Sequence, residues 1–343
     1  MALLDLLESD SSRYRVVGFL DDDSAKQAPL DNFSSESTKM PNILKEGSAI
    51  ESSGNCCPTG LKKPALPLVL GPTDRLIDIA SQRGITTAIL AMTNDINSKL
   101  AEILKDCVGL GIQIVPMPDL YEQVSGRVPL DYVREKWDVT MTLQHSGARP
   151  FNRLIKRISD LVLASLGILC LAPVFPLLAL AIYLDCPGPI LYTQMRVGKG
   201  GRLFKVYKFR SMAPDAEGQK AVWAQRNDPR VTRVGSFLRK THIDEFPQFI
   251  NILKGEMSAV GPRAERPEFV EELEREIPFY RLRYVVKPGM AGWGLVRQGY
   301  GASIEDARVK LEYDLYYIKN QSLWLDIMIL LKTIVDTLTM RGR

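Results

Sequence analysis

Histidine and cysteine are scarce in this 343-residue chain. The two histidines, His145 and His242, stand far apart, and the five cysteines (Cys56, Cys57, Cys107, Cys170, Cys186) show no metal-ligand spacing. An odd, unpatterned set of thiols argues against a disulfide framework, and the thin Cys/His content argues against a zinc site. A reducing, cytoplasm-facing environment is the expectation. The opening Met-Ala-Leu-Leu-Asp-Leu-Leu-Glu has acidic residues where an export signal needs basic ones, so none is read there. Internal repeats are lacking. With 45% hydrophobic residues the composition fits neither wholesale disorder nor a polytopic membrane protein.

The formal net charge is only +4, but it is unevenly spread: from Pro187 to Lys240 there are twelve Lys/Arg against three Asp/Glu. Such a local excess suits a phosphate-rich partner, either a substrate or a membrane surface, and equally a solvated basic face. Nucleic acid fits poorly, because the stretch has no interleaved base-stacking aromatics and no helix-turn-helix signature.

The N-terminal part reads as strands alternating with helices. Strands are expected at Arg15 to Leu20, Leu68 to Gly71, Thr87 to Ala91 and Ile112 to Val115, with helices at Asp74 to Arg83 and Ile96 to Leu110. This order indicates a parallel α/β sheet. Residues 24–67, rich in Ser, Pro, Asn and Lys, read as a long loop, and 139–150 as a linker. Leu161 to Leu184 then runs 24 residues without a charge, long enough to cross a bilayer. Pro173 and Pro176 interrupt it, and both flanks are basic (Arg153, Lys156, Arg157; Arg196, Lys199, Arg202). Positive flanks favour the cytoplasmic side, so a helix that enters, breaks at the prolines and returns is expected near 154–185.

Beyond it, Ile190 to Met195 and Arg202 to Lys208 flank Gly198-Lys-Gly-Gly, a hairpin signal. The second strand ends in Lys208-Phe-Arg210, two cations usable for phosphate or for solubility. In Thr241-His-Ile-Asp-Glu-Phe-Pro, Asp244 reads as an N-cap, Pro247 suits a first turn and Gly255 is placed to end the helix. That is a capped helix at least. It also sets two adjacent carboxylates, Asp244 and Glu245, among Lys208, Arg210, Arg239 and Arg263, a composition suited to phosphoryl transfer.

Residues from about 151 to 343 resemble the bacterial sugar transferase family, the monotopic phosphoglycosyl transferases. The resemblance rests on an ordered set of motifs. They are Lys156-Arg-Ile-Ser-Asp160, the proline-broken apolar segment, Cys186-Pro-Gly-Pro-Ile, Lys208-Phe-Arg-Ser-Met, Ile243-Asp-Glu-Phe-Pro-Gln, Gly255-Glu-Met-Ser-Ala-Val-Gly-Pro-Arg263, Lys287-Pro-Gly-Met-Ala-Gly-Trp-Gly and Tyr313-Asp-Leu-Tyr-Tyr-Ile-Lys-Asn. It implies Asp244 as nucleophile and Glu245 as acidic partner, with both near a Mg²⁺ ion. Lys208, Arg210, Arg239, Arg263 and Asp326 are implied as substrate-contacting residues. The implied reaction moves a phosphosugar from a UDP-sugar to polyprenyl (undecaprenyl) phosphate through an aspartyl intermediate, releasing UMP, at the cytoplasmic face of the inner membrane. A non-catalytic scaffold binding membrane and nucleotide-sugar is the rival.

Within an expected domain of residues 1–138, roughly residues 13 to 130 resemble, through Val17-Gly-Phe-Leu-Asp-Asp-Asp, Gly111-Ile-Gln-Ile-Val-Pro-Met-Pro and Tyr121-Glu through Gly126-Arg-Val-Pro-Leu, the nucleotide-binding-like domain of larger polyprenyl glycosylphosphotransferases. The opening strand of that domain, with its glycine-rich turn, is missing, which points to a structural or regulatory remnant; the resemblance also implies a homodimer through this part. Two positions depart from the family pattern: Ala264 stands where a second proline usually follows, and Val296-Arg-Gln-Gly-Tyr-Gly-Ala-Ser resembles an exopolysaccharide-associated branch. The fold class expected is therefore an incomplete Rossmann-like α/β domain, then a mainly α membrane-embedded domain with a re-entrant helix and a small β-hairpin.

Overall fold

The computed structural model describes residues 15–22, 69–91, 97–130, 150–213, 228–299 and 303–339. The expected loop at 24–67 and all of the linker except Pro150 lie outside them. The chain clusters into two compact units, Met1–Leu120 and Tyr121–Arg343. The described residues are mostly helical, and every sheet among them has two strands.

In the first unit β1 (Phe19–Leu20) pairs in parallel with β2 (Val69–Gly71), and β3 (Thr87–Leu90) with β4 (Gln113–Pro116). Helix α1 (Leu76–Arg83) stops at Gly84, whose φ of 62° is the left-handed turn that glycine takes without strain. Helix α2 (Ser98–Gly109) starts where the Asn97 side chain accepts the Leu100 N–H at 2.8 Å. Ala80, Cys107 and Ile112 form the small core. The alternation expected from sequence is present, as two separate parallel pairs. A further helix, α3, covers Met117–Ser125.

Residues Tyr121 to Leu130, read from sequence with the N-terminal part, pack in the second unit. Lys319 Nζ donates to Glu122 at 2.9 Å, and Trp293 Nε1 donates to the Gly126 carbonyl at 2.7 Å. The Val128 N–H donates to the Glu312 carbonyl at 3.0 Å.

The apolar run forms two helices, α4 (Pro150–Leu171) and α5 (Phe175–Asp185), bent by 64° across residues 172–174. Pro173 falls in the break and Pro176 in the first turn of α5, where a missing N–H costs nothing. Among the described residues no single helix is long and apolar enough to cross a membrane, while this bent pair is by length and composition. Leu154, Leu166, Leu169, Leu177 and Leu184 are exposed on it. Gly167 lets α4 approach the Phe249 ring, which a Cβ there would meet at 2.4 Å.

Strands β5 (Leu191–Val197) and β6 (Leu203–Phe209) make the expected antiparallel hairpin, turned at Gly200 and Gly201 with positive φ. Helix α6 (Arg233–Lys240) follows, capped by the Thr232 hydroxyl. The carboxylate motif differs from expectation. Asp244 does not cap an α-helix; it lies within a 3-10 turn, Ile243–Gln248, entered through His242 at φ 55°. Helix α7 (Phe249–Lys254) begins only after that turn and ends at Gly255 (φ 82°), as expected. The rest comprises β7 (Ser258–Val260), α8 (Pro267–Glu276), β8 (Gly289–Ala291, parallel to β7), α9 (Trp293–Gln298), α10 (Ile304–Lys319) and α11 (Leu323–Leu338). Their core includes Ile252, Met257, Val260, Tyr280, Leu311, Leu315, Tyr317 and Ile329.

Candidate active site

In a 3-10 turn successive side chains are about 120° apart, so neighbouring residues face different surroundings. Asp244 and Glu245 show this. Both are buried, yet Glu245 is held by cations and Asp244 is not. Glu245 Oε1 accepts from Lys208 Nζ and Arg263 Nη2, both at 2.7 Å, and Oε2 accepts from Arg263 Nη1 at 3.3 Å. Lys208 comes from the end of β6; Arg263 comes from the turn after β7. Asp244 makes no hydrogen bond or ion pair among the described residues, although the Lys208, Arg239 and Arg263 charges act on it.

The two carboxyls are driven apart in acidity. Burial, followed by the Glu245 charge, pushes Asp244 up to about 6. Burial also acts on Glu245, but Arg263 and Lys208 together outweigh it and hold this carboxyl well below the usual range. Burial depresses Lys208, with Glu245 opposing. One carboxylate is therefore fixed and ionised, while the other is poorly solvated and exchanges its proton near neutrality.

The turn carrying Arg263 is clamped from three sides. Arg283 Nη2 donates to the Arg263 carbonyl at 2.9 Å and to Asp314 at 2.8 Å. Arg196 Nη1 donates to the Ala264 carbonyl at 3.1 Å. Asp160 of α4 accepts from Ser258 Oγ and from the Ala259 N–H, both at 2.9 Å, which fixes β7 just upstream. Asn251, fully buried, bonds the Lys205 carbonyl at 2.6 Å and the Tyr207 N–H at 3.2 Å, tying β6 to α7. Arg283 and Asn251 escape a reading of the sequence, and Arg196 and Asp314 enter it only as a basic flank and a motif position, because their partners are distant and often backbone carbonyls. The motif Lys156-Arg-Ile-Ser-Asp160 was the one signal pointing at Asp160.

Of the residues singled out from sequence, Asp244, Glu245, Lys208, Arg239 and Arg263 come together. Arg210 does not join them. Its buried guanidinium donates to the carbonyls of Ile182, Cys186 and Pro187 and so closes the end of α5. Asp326 also lies elsewhere. It accepts from Lys156 Nζ at 2.7 Å and Tyr317 Oη at 2.8 Å, and it lines a cavity whose walls include none of the five. Among the described residues no three His, Cys, Asp or Glu side chains converge as a metal site. Magnesium is commonly held by one or two carboxylates plus substrate phosphates, so an Asp-Glu pair is not too few. Of the two, Asp244 makes no hydrogen bond or ion pair among the described residues, whereas Glu245 is already engaged by Lys208 and Arg263.

Residues 151–340 match the family model described as Bacterial sugar transferase. The chain is similar to the UDP-N-acetylgalactosamine-undecaprenyl-phosphate N-acetylgalactosaminephosphotransferase of Aeromonas hydrophila, with 44% identity over 72% of this chain and 57% of that protein. It is 35% identical to the UDP-glucose:undecaprenyl-phosphate glucose-1-phosphate transferase of Escherichia coli (strain K12), over 77% of this chain and 57% of that one. Similarity to the exopolysaccharide production protein PSS of Rhizobium leguminosarum bv. phaseoli is 40% identity over 55% of this chain and 98% of the other. The chain thus spans little more than half the length of the first two relatives.

Proposed function

The chain belongs to the bacterial sugar transferase family, and from that premise we propose that it transfers a sugar 1-phosphate from a UDP-sugar to undecaprenyl phosphate. The observation that carries the reading is the split carboxylate pair: Glu245 locked between Lys208 and Arg263, Asp244 buried beside it without a hydrogen-bond or ion-pair partner among the described residues. Adjacent acids with divergent acidity take divergent roles. An Asp244 oxygen attacks the sugar-bearing phosphorus. The bond from that phosphorus to the bridging oxygen breaks, and UMP leaves with the oxygen and the electron pair. Polyprenyl phosphate then attacks the aspartyl phosphosugar, returning Asp244 as a carboxylate and giving the polyprenyl-diphosphate sugar.

Glu245 does not touch the reacting phosphorus in this reading; it positions Lys208 and Arg263, which with Arg239 offset the diphosphate charge. Mg²⁺, if bound, would be held by Asp244 and the substrate phosphates and would supply further charge neutralisation. The bent pair α4–α5, with its exposed leucines, is read as a re-entrant membrane segment with both ends on the cytoplasmic face, so that a soluble donor meets a lipid acceptor at the interface. The first unit, with its parallel strand pairs, is read as a reduced Rossmann-like domain of regulatory use, and the product as the first lipid-linked intermediate of a surface glycan.

The test is UMP release from a panel of UDP-sugars by detergent-purified protein, with Mg²⁺ and with or without undecaprenyl phosphate. Lipid-dependent release that disappears in Asp244→Asn is expected, together with a phosphosugar mass adduct on the wild-type chain. Absence of both release and adduct across the panel would replace this reading with a non-catalytic scaffold.

A further inference from the structure

A cavity of about 790 Å³ opens in the second unit between the first turns of α4, the start of α11 and the segment Val285 to Lys287. Its charge is unbalanced. Arg153, Lys156, Arg157, Lys199 and Lys287 line it with only two carboxylates, Asp160 and Asp326. Both carboxylates are committed: Asp160 accepts from Ser258 and Ala259, and Asp326 from Lys156 and Tyr317. Arg157 donates to the Ile252 and Leu253 carbonyls at 2.7 and 2.9 Å, which leaves its charge without a counter-ion. Lys199 and Lys287 make no hydrogen bond or ion pair among the described residues.

These cations crowd one another. Lys287 Nζ and Arg157 Nη2 each stand 3.5 Å from the point a Cβ on Gly255 would occupy. Burial first, then the Arg157, Lys199 and Lys156 charges, hold the Lys287 ammonium below the usual lysine range. Unbalanced positive charge in a half-buried cleft is unfavourable until an anion joins it. The remaining walls are apolar, from Ile155, Val285, Val286 and Leu323. Next to the lining positions along α4 and α11, Phe151 and Trp324 are each 70% exposed. Cations at the base and bare apolar side chains at the rim suit a ligand that is anionic at one end and oily at the other.

We propose that this cavity binds the phosphate headgroup of an anionic bilayer phospholipid, with Lys287, Arg157 and Lys199 facing the phosphate and the acyl chains lying along α4 and α11. The inference rests on the membrane placement of α4 and is independent of the chemistry assigned to Asp244.

The full chain would be reconstituted with equal phosphatidylglycerol and phosphatidylcholine, and retained lipids counted by native mass spectrometry. Preferential retention of phosphatidylglycerol by the wild type is expected. Lys287→Gln should reduce it about fivefold, the equivalent of about 1 kcal/mol for one basic residue, and Lys199→Glu by more, with UMP release in detergent preserved. Lys199 is exposed on the hairpin turn, so its variant remains informative should Lys287→Gln fold poorly. Equal retention of the two lipids, or unchanged retention in both variants, would overturn the proposal. So would displacement of the lipid by millimolar inorganic phosphate, which would mark a free-anion site, or by an equimolar amount of polyprenyl phosphate. Asp244→Asn should keep its lipid; a chain that retains phosphatidylglycerol but releases no UMP would support the lipid site and sink only the catalytic reading.

Discussion

Asp244 and Glu245 are chemically near-identical side chains on adjacent residues, and what separates them is direction. Glu245 points to Lys208 and Arg263; Asp244 is set against burial and the Glu245 charge. Attack on phosphorus requires the ionised form, so kcat/KM for UMP release should climb as pH rises through about 6 and level off above. A profile without an acidic limb there would remove Asp244 as the group that titrates. The same shift has a cost in stability. A carboxyl whose folded pKa lies above its unfolded value binds its proton more tightly in the native state, so stability falls as pH rises from about 4 through about 6. Asp244→Asn removes that penalty and should melt higher than the wild type at neutral pH, by the equivalent of on the order of 3 kcal/mol, the gap closing toward acid. Glu245 has the opposite sign: its ion pairs contribute stability above the ordinary carboxylate pKa and lose it as pH falls further. Thermal melts of both chains across pH would read the two effects.

At the scale of elements, local signals were legible and long-range ones were not. Gly198-Lys-Gly-Gly announces its hairpin because positive φ at Gly200 and Gly201 is a backbone demand that glycine meets, and Gly255 closes α7 for the same reason. Apart from β1, which pairs only over Phe19–Leu20 and not from Arg15, the expected strands and helices of the first unit sit within a residue or two of where alternation places them, as does the proline break between α4 and α5. The 3-10 turn was hidden, since Asp244 followed three residues later by Pro247 looks like a helix start. Nothing local reveals that His242 turns left-handed first. The carbonyl contacts of Arg210 are hidden for a related reason. Two residues after Lys208 and just past the end of β6, it spends its guanidinium on carbonyls, which have no sequence signature. Arg210→Met should therefore lower the melting temperature, by the equivalent of about 2 kcal/mol, while the donor KM of the folded fraction stays unchanged. A large rise in KM with no loss of stability would return Arg210 to the substrate.

Across the whole second unit, apolar exposure on α4, α5 and α11 (Leu169, Leu184 and Leu338 are each above 70% exposed) is far more than a water-facing surface carries singly. Re-entrant placement predicts that cysteines introduced by Pro150→Cys and Arg202→Cys, in a chain otherwise free of cysteine, react with an impermeant maleimide only from the cytoplasmic side. Reaction of the two from opposite sides would make α4–α5 a span. The bond between Lys156 and Asp326 joins residues 170 apart in sequence, and Asp160 meets Ser258 across 98. Time enters here. At usual rates of synthesis, on the order of ten to thirty seconds pass between the emergence of α4 and that of α11. During that interval the nascent helix holds an ammonium and a carboxylate whose partners do not yet exist. The second unit is thus finished late: β7 is fixed to Asp160 partway through, and α11 brings the carboxylate for Lys156 only afterwards. A ribosome stalled before Asp326 would leave a chain in which the bent helix pair is complete while Lys156 still lacks its carboxylate.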